Sequence, residues 1–91
     1  MNYKTIVLEL LQNHPAVHRR LTKTRSLLLT VERYASELRN RHAAWKEHLQ
    51  PKEANRNEIS IASEALELAL AELTALLTSE FPLEVRDPPN E

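Results

Sequence analysis

The sequence predicts an all-α protein in which two long helices form an antiparallel hairpin, a short helix precedes them, and the hairpin pairs with a second copy into a four-helix bundle. Three observations lead to this prediction. None of the 91 residues is Gly, so the chain lacks the residue that tight turns with positive φ usually require. Apolar residues recur at steps of three and four, as in a helix, and not with the period of two expected of a strand. The five Pro residues stand outside the interiors of these periodic segments.

The first helix is predicted over residues 3–12, which are apolar on most sides. Residues 5–10 could also form a strand, but no second strand-like segment is present to pair with them. Asn13-His14-Pro15 ends the helix, because the residue before Pro avoids the α region and Pro is favoured at the first position of a new helix.

A second helix is predicted over residues 15–49. Its seam alternates steps of four and three over more than four heptads, which is typical of a helix packed lengthwise against another. At about 1.5 Å per residue it would be about 52 Å long, so it needs a partner along its length. The predicted seam consists of Val17, Leu21, Thr24, Leu28, Val31, Ala35, Leu38, His42, Trp45 and Leu49.

A third helix is predicted over residues 56–79, after a loop at 50–54. Asn55 is placed as its N-cap, and Glu58 can reach back to it as in a capping box. Two long helices joined by a short loop pack antiparallel. Residues 1–81 are therefore expected to form a single helical domain, and the Pro-rich residues 82–91 an extended or disordered tail. The seam of the third helix is predicted to be Ile59, Ala62, Leu66, Ala69, Leu73 and Leu76.

The third helix is apolar over a wider arc than the roughly 100° that one partner covers. The first helix is expected to cover part of that arc, around Leu70, Leu73 and Leu77. The apolar side chains left over predict a homodimer that acts as a protein–protein interaction module for an unidentified partner protein. The predicted partner-binding residues are Leu27, Leu29, Tyr34, Trp45, Ile61 and Leu68. For Trp45, closure of the hairpin's own core is an equally open interpretation.

A basic cluster at the start of the second helix indicates an alternative function, a regulator that binds nucleic acid. The cluster consists of Arg19, Arg20, Lys23 and Arg25, and no Asp or Glu occurs between residues 11 and 30. These side chains could bind phosphates. Against this, Glu72, Glu80 and Glu84 are expected at the same end of the hairpin and could neutralise the cluster, and no aromatic residue is interleaved to stack on bases.

Other classes of function have little support in the sequence. The chain has no Cys, and its scattered Ser residues have no paired base, so no catalytic site or enzyme activity is expected. His14 and His18 are four residues apart, but no third ligand is nearby, so neither a metal nor another cofactor is expected. No apolar run approaches the roughly 18 residues of a membrane span. With no signal peptide evident, the expectation is a cytoplasmic protein without a membrane partner.

One known architecture shares features with this sequence. The small secreted helical-hairpin proteins named for a Trp-x-Gly turn have a similar length and a Trp just before the bend. Here Trp45 is followed by Lys46 and Glu47, so the Gly is missing. We therefore assign no family from the sequence, and an exported helical-hairpin effector remains a third interpretation.

Overall fold

A computed structural model describes residues 2–49 and 58–82 of the chain. These residues form four helices, α1 (Tyr3–Gln12), α2 (Pro15–Lys23), α3 (Leu27–Leu49) and α4 (Glu58–Glu80). The all-α prediction is confirmed for this part of the chain, which contains no strand. The predicted loop at 50–54, the Asn55 cap and the tail beyond Pro82 lie outside the described residues.

Local sequence explains where the first two helices begin. The Asn2 side chain accepts a hydrogen bond from the Thr5 N–H at 3.2 Å, which satisfies one of the free donors at the start of α1. His14 has φ −126° and ψ 75°, outside the α region, and Pro15 occupies the first turn of α2. This geometry follows from the steric restriction that Pro places on the preceding residue.

The prediction of one continuous helix over residues 15–49 is wrong, because the chain turns sharply at Arg25. Arg25 has φ 61°, in the left-handed region. Its N–H donates to the Thr22 carbonyl at 3.2 Å, and the Ser26 N–H donates to the Leu21 carbonyl at 2.9 Å. This pair of bonds is a Schellman motif, which ends a helix. Gly usually takes the left-handed position of this motif, but here Arg25 takes it. The absence of Gly from the sequence therefore did not exclude such a turn.

The most extensive contacts between helices involve α3, which packs against both α1 and α4. α4 runs antiparallel to α3, since Glu80 meets Arg33 and Glu72 meets Arg41. Leu73 and Leu77 of α4 share one core with α1, as expected from the sequence. The members of that core are Val7, Leu11, Val17, Leu21, Val31, Tyr34, Ala35, Leu38, Ala69, Leu73 and Leu77.

Both predicted seams differ from the buried residues. Leu28 was placed in the seam of the second helix but is 72% exposed, because the turn at Arg25 breaks the heptad pattern just before it. Ile59 was placed in the seam of the third helix and is 79% exposed. A step of four advances about 40° around a helix, so the buried line winds around α4 and meets different neighbours along its length. That line is Ile61, Ala65, Ala69, Leu73 and Leu77.

A buried His connects three of the helices. His42 on α3 is 2% exposed. Its Nε2 lies 3.0 Å from the Ala62 carbonyl oxygen of α4, and its Nδ1 lies 2.9 Å from the Tyr3 hydroxyl of α1. Because a carbonyl can only accept, Nε2 carries a proton, and in the neutral imidazole Nδ1 then accepts from the Tyr3 hydroxyl. The pair of bonds fixes α1 and α4 on α3.

Candidate protein-binding site on the α3 and α4 face

The candidate site is a surface groove beside the α3–α4 contact. It has a volume of about 320 Å³ and is lined by five residues, which define the Trp45 groove: Arg41, Ala44, Trp45, His48 and Glu72. Four of them belong to α3, at steps of three and four residues that put their side chains on one face of the helix. Glu72 contributes the opposite wall from α4. The groove is small and open to solvent.

The antiparallel register identifies the α4 residues near the groove. Arg33 meets Glu80 and Arg41 meets Glu72, so an advance of eight residues on α3 matches a retreat of eight on α4. By the same register, Trp45 lies level with Leu68. Leu68 is half-buried. Leu68 is not one of the five residues that line the groove.

Trp45 contacts the core from the edge. It is half-buried and packs against the core cluster, and its ring meets the His48 ring edge-on with centroids 5.4 Å apart. One part of the indole therefore contributes to the chain's own core while another part lines the groove. The contact with the core agrees with the interpretation that Trp45 closes the hairpin's own core, and partner binding stays a prediction.

Charges of both signs border the groove. The Arg41 guanidinium lies 2.8 Å from the Glu37 carboxylate and 3.0 Å from the Glu72 carboxylate. Hydrogen bonds to Glu72 and then to Glu37 raise the pKa of Arg41 above its ordinary value. All three side chains remain partly exposed. The network orients the charges at the rim, although each exposed pair contributes at most about 1 kcal/mol to stability.

The structure separates the six residues predicted to bind a partner. Trp45 lines the groove, whereas Leu68 lines a separate depression on α4. Tyr34 has 0% exposure and Ile61 has 4%, so both are interior residues and not surface anchors. Tyr34 is buried because its hydroxyl side faces α4, where it donates to Glu80.

The two remaining predicted residues lie at the other end of α3. Leu27 is half-buried and packs against the core, whereas Leu29 is 71% exposed. Sixteen residues of helix, or about 24 Å at 1.5 Å per residue, separate Leu29 from Trp45. The six residues therefore do not form one surface, and sequence reasoning did not place Arg41 and Glu72 beside Trp45.

The end of α4 is held by a second polar cluster. Glu80 accepts a hydrogen bond from Arg33 at 2.8 Å and another from the Tyr34 hydroxyl. These bonds, with that of Arg33 the larger cause, lower the pKa of Glu80 below its ordinary value. Burial, and then the hydrogen bond to Glu80, raises the pKa of Tyr34. A carboxylate at a helix C-terminus is otherwise unfavourable, so this cluster stabilises the end of α4.

The basic cluster of the alternative function is on the surface. Arg19, Arg20, Lys23 and Arg25 are all exposed, and within the described residues none has a carboxylate at ion-pair distance. The predicted neutralisation by Glu72 and Glu80 is wrong, because these carboxylates pair with Arg41 and Arg33 on α3. Glu84 lies outside the described residues.

The part of the chain that the structure describes holds no group of three or more metal-ligating side chains. His14 contacts the Leu10 carbonyl oxygen through Nδ1 at 3.1 Å. Among the described helices, none is long and apolar enough to cross a membrane. Comparison with protein-family models, with curated proteins and with solved structures finds no significant match.

Proposed function

We propose that this chain is a protein–protein interaction module that acts as a homodimer through the Trp45 groove. In the dimer, the hairpin of α3 and α4 from each copy packs against the same hairpin of the other copy, which gives a four-helix bundle. The cytoplasmic location predicted from the sequence is part of the proposal. Its main support is Trp45, a half-buried aromatic side chain that lines an open groove.

Trp is enriched among the residues that dominate the free energy of binding at interfaces. In this chain the only Trp is Trp45, and the register places Leu68 level with it. Apolar surface at the centre of the face would be removed from water on association, which stabilises a complex by roughly 25 cal/mol per Å².

The charges at the rim favour a second copy of the chain as the occupant. In a two-fold symmetric dimer the same patch meets itself, so it must be self-complementary. Arg41 supplies a positive group and Glu72 a negative group on the same face, 3.0 Å apart. A two-fold axis near Trp45 would bring Arg41 of each copy toward acidic groups of the other. A face with one sign of charge would repel its own copy.

A matched pair of Ala substitutions tests the proposal. Ala43 and Ala44 are adjacent and both exposed, but only Ala44 lines the Trp45 groove. We expect Ala44→Glu to dissociate the dimer, because two added carboxylates would face each other across the two-fold axis, and the dissociation constant should rise at least tenfold in sedimentation equilibrium. Ala43→Glu adds the same charge on the same helix and should leave the dissociation constant unchanged.

Equal effects of the two substitutions would contradict the proposal, because they would indicate a general response to charge and not a groove interface. A chain that is monomeric before any substitution would contradict it directly. Circular dichroism of both variants checks that they remain helical. Neither Ala is buried, so both variants should fold.

A further inference from the structure

The turn between α2 and α3 presents two adjacent apolar side chains to solvent. Leu28 is 72% exposed and Leu29 is 71% exposed. They lie three and four residues after Arg25, whose left-handed conformation turns the chain. Among the described residues, the other large apolar side chain exposed to this degree is Ile59, and the Leu pair lies far from the Trp45 groove. The proposed dimer does not cover them.

Four cations lie on the same turn and on the helix that leads into it. Together with the two Leu residues they define the basic corner: Arg19, Arg20, Lys23, Arg25, Leu28 and Leu29. Residues 22–25 are all exposed, and Arg19 and Lys23 line a surface groove of about 460 Å³ on α2. Arg20 and Lys23 occupy the last turn of α2, where cations interact favourably with the free carbonyl groups. That role accounts for neither Arg19 nor Arg25, nor for the exposed Leu pair.

Two exposed Leu side chains, close in sequence to four cations that have no ion pair within the described residues, match the chemistry of an anionic bilayer surface. Leu side chains can enter the boundary between headgroups and acyl chains, and Lys and Arg remain at the level of the lipid phosphates.

Nucleic acid explains the corner less well. A helix that reads a DNA groove presents hydrogen-bonding side chains at its start, whereas α3 begins with Leu27, Leu28 and Leu29. Proteins that bind single strands stack bases on aromatic rings, and residues 15–33 contain no aromatic residue. The phosphates of nucleic acid would therefore contact the cations and leave the Leu pair unused.

We propose that the basic corner binds the surface of membranes that contain anionic phospholipids, with Leu28 and Leu29 inserted and the four cations on the headgroup phosphates. The chain then attaches to the membrane from one side and does not span it. This proposal departs from the sequence-based expectation of no membrane partner. It is independent of the Trp45 groove, because the two surfaces lie at opposite ends of α3.

Co-sedimentation of the full chain with vesicles tests the proposal. We expect binding to vesicles of equimolar phosphatidylcholine and phosphatidylserine, and little binding to pure phosphatidylcholine. Replacing both Leu28 and Leu29 by Ser should weaken binding at least tenfold, since two inserted side chains are lost. The control Ile59→Ser removes a side chain that is 79% exposed elsewhere and should have no effect.

The cations are tested separately. Arg19→Gln and Arg25→Asn should each weaken vesicle binding about fivefold, the effect of roughly 1 kcal/mol per cation near an anionic surface. Asn is chosen at position 25 because it tolerates the left-handed conformation. Lys46→Gln, which removes an exposed cation near the other end of α3, should leave binding unchanged.

Two outcomes would overturn the proposal. The first is the absence of binding to the phosphatidylserine vesicles. The second is binding that depends on the cations but is unaffected when both Leu residues are replaced by Ser. In that case, binding of the variant with both Leu residues replaced by Ser is also measured on duplex DNA and single-stranded RNA. If this variant binds nucleic acid as tightly as the unmodified chain does, and more tightly than it binds vesicles, the corner is a nucleic-acid site.

Discussion

Tyr34 has no exposed surface, yet its hydroxyl reaches the Glu80 carboxylate at the end of α4. Arg33 binds the same carboxylate and lies over the Tyr34 ring, with its guanidinium carbon 5.2 Å from the ring centroid. Glu80 follows Tyr34 by 46 residues and Arg33 by 47 in the sequence. Sequence periodicity could not reveal this cluster, because it depends on the register between two helices and not on the pattern within either one.

The lowered pKa of Glu80 predicts a loss of stability in acid. A carboxylate whose pKa is lower in the folded than in the unfolded chain stabilises the fold when the pH is above the ordinary pKa of 4.5. This contribution disappears as the pH falls through the lower pKa of the folded state. Because the ion pair is partly exposed, we expect the free energy of unfolding to fall by about 0.5–1 kcal/mol. Urea unfolding between neutral and acidic pH measures this change.

The matched substitutions for that experiment are Glu80→Gln and Glu67→Gln. Glu80→Gln should lower stability at neutral pH and reduce the loss in acid, because the group that titrates is gone. Glu67 is exposed and has no ion pair within the described residues, so Glu67→Gln should retain the full pH dependence. An unchanged pH profile in Glu80→Gln would show that Glu80 is not the group responsible.

At the scale of the elements, the turn at Arg25 decides where the chain presents its surfaces. The heptad spacing continues through residues 15–49, and the sequence therefore predicts one helix. Local chemistry favours a break, since Thr22, Thr24 and Ser26 have poor helix propensity and hydroxyl groups that bond to nearby backbone. The Thr24 hydroxyl contacts the Arg20 carbonyl and the Ser26 hydroxyl. In the sequence, the signal for the turn was therefore the group of hydroxyl residues at positions 22, 24 and 26.

Substitution of Arg25 tests the turn. A non-Gly residue in the left-handed region costs roughly 1–2 kcal/mol, whereas Gly adopts it freely. We therefore expect Arg25→Gly to raise the free energy of unfolding by about 1 kcal/mol, measured by thermal or urea denaturation.

The control for this substitution is the neighbouring Thr24. Its φ of −86° suits any residue, and its hydroxyl makes local hydrogen bonds that Gly would remove. Thr24→Gly should therefore be destabilising. If Arg25→Gly were as destabilising as Thr24→Gly, position 25 would not be in the left-handed region and the helix would continue through it.

At the scale of the whole molecule, the sequence predicts the helical class and the position of α1, because steps of three and four, the caps and Pro15 are local signals. It does not predict which faces are covered. Heptad spacing shows that a helix packs against something, but α3 packs against both α1 and α4, and the buried arc then includes Tyr34 on one side and Ala35 on the other. The Trp45 groove became visible only with the α3–α4 register in place.

The central claim is that two copies of the chain associate through the Trp45 groove. Light scattering on a sizing column, with Trp fluorescence recorded during elution, tests it most directly. A mass twice the 10.5 kDa of one chain, together with a shift of the Trp45 emission to longer wavelength as the sample is diluted and dissociates, is the predicted result. A mass of one chain at all concentrations, with emission that does not change on dilution, would contradict the claim.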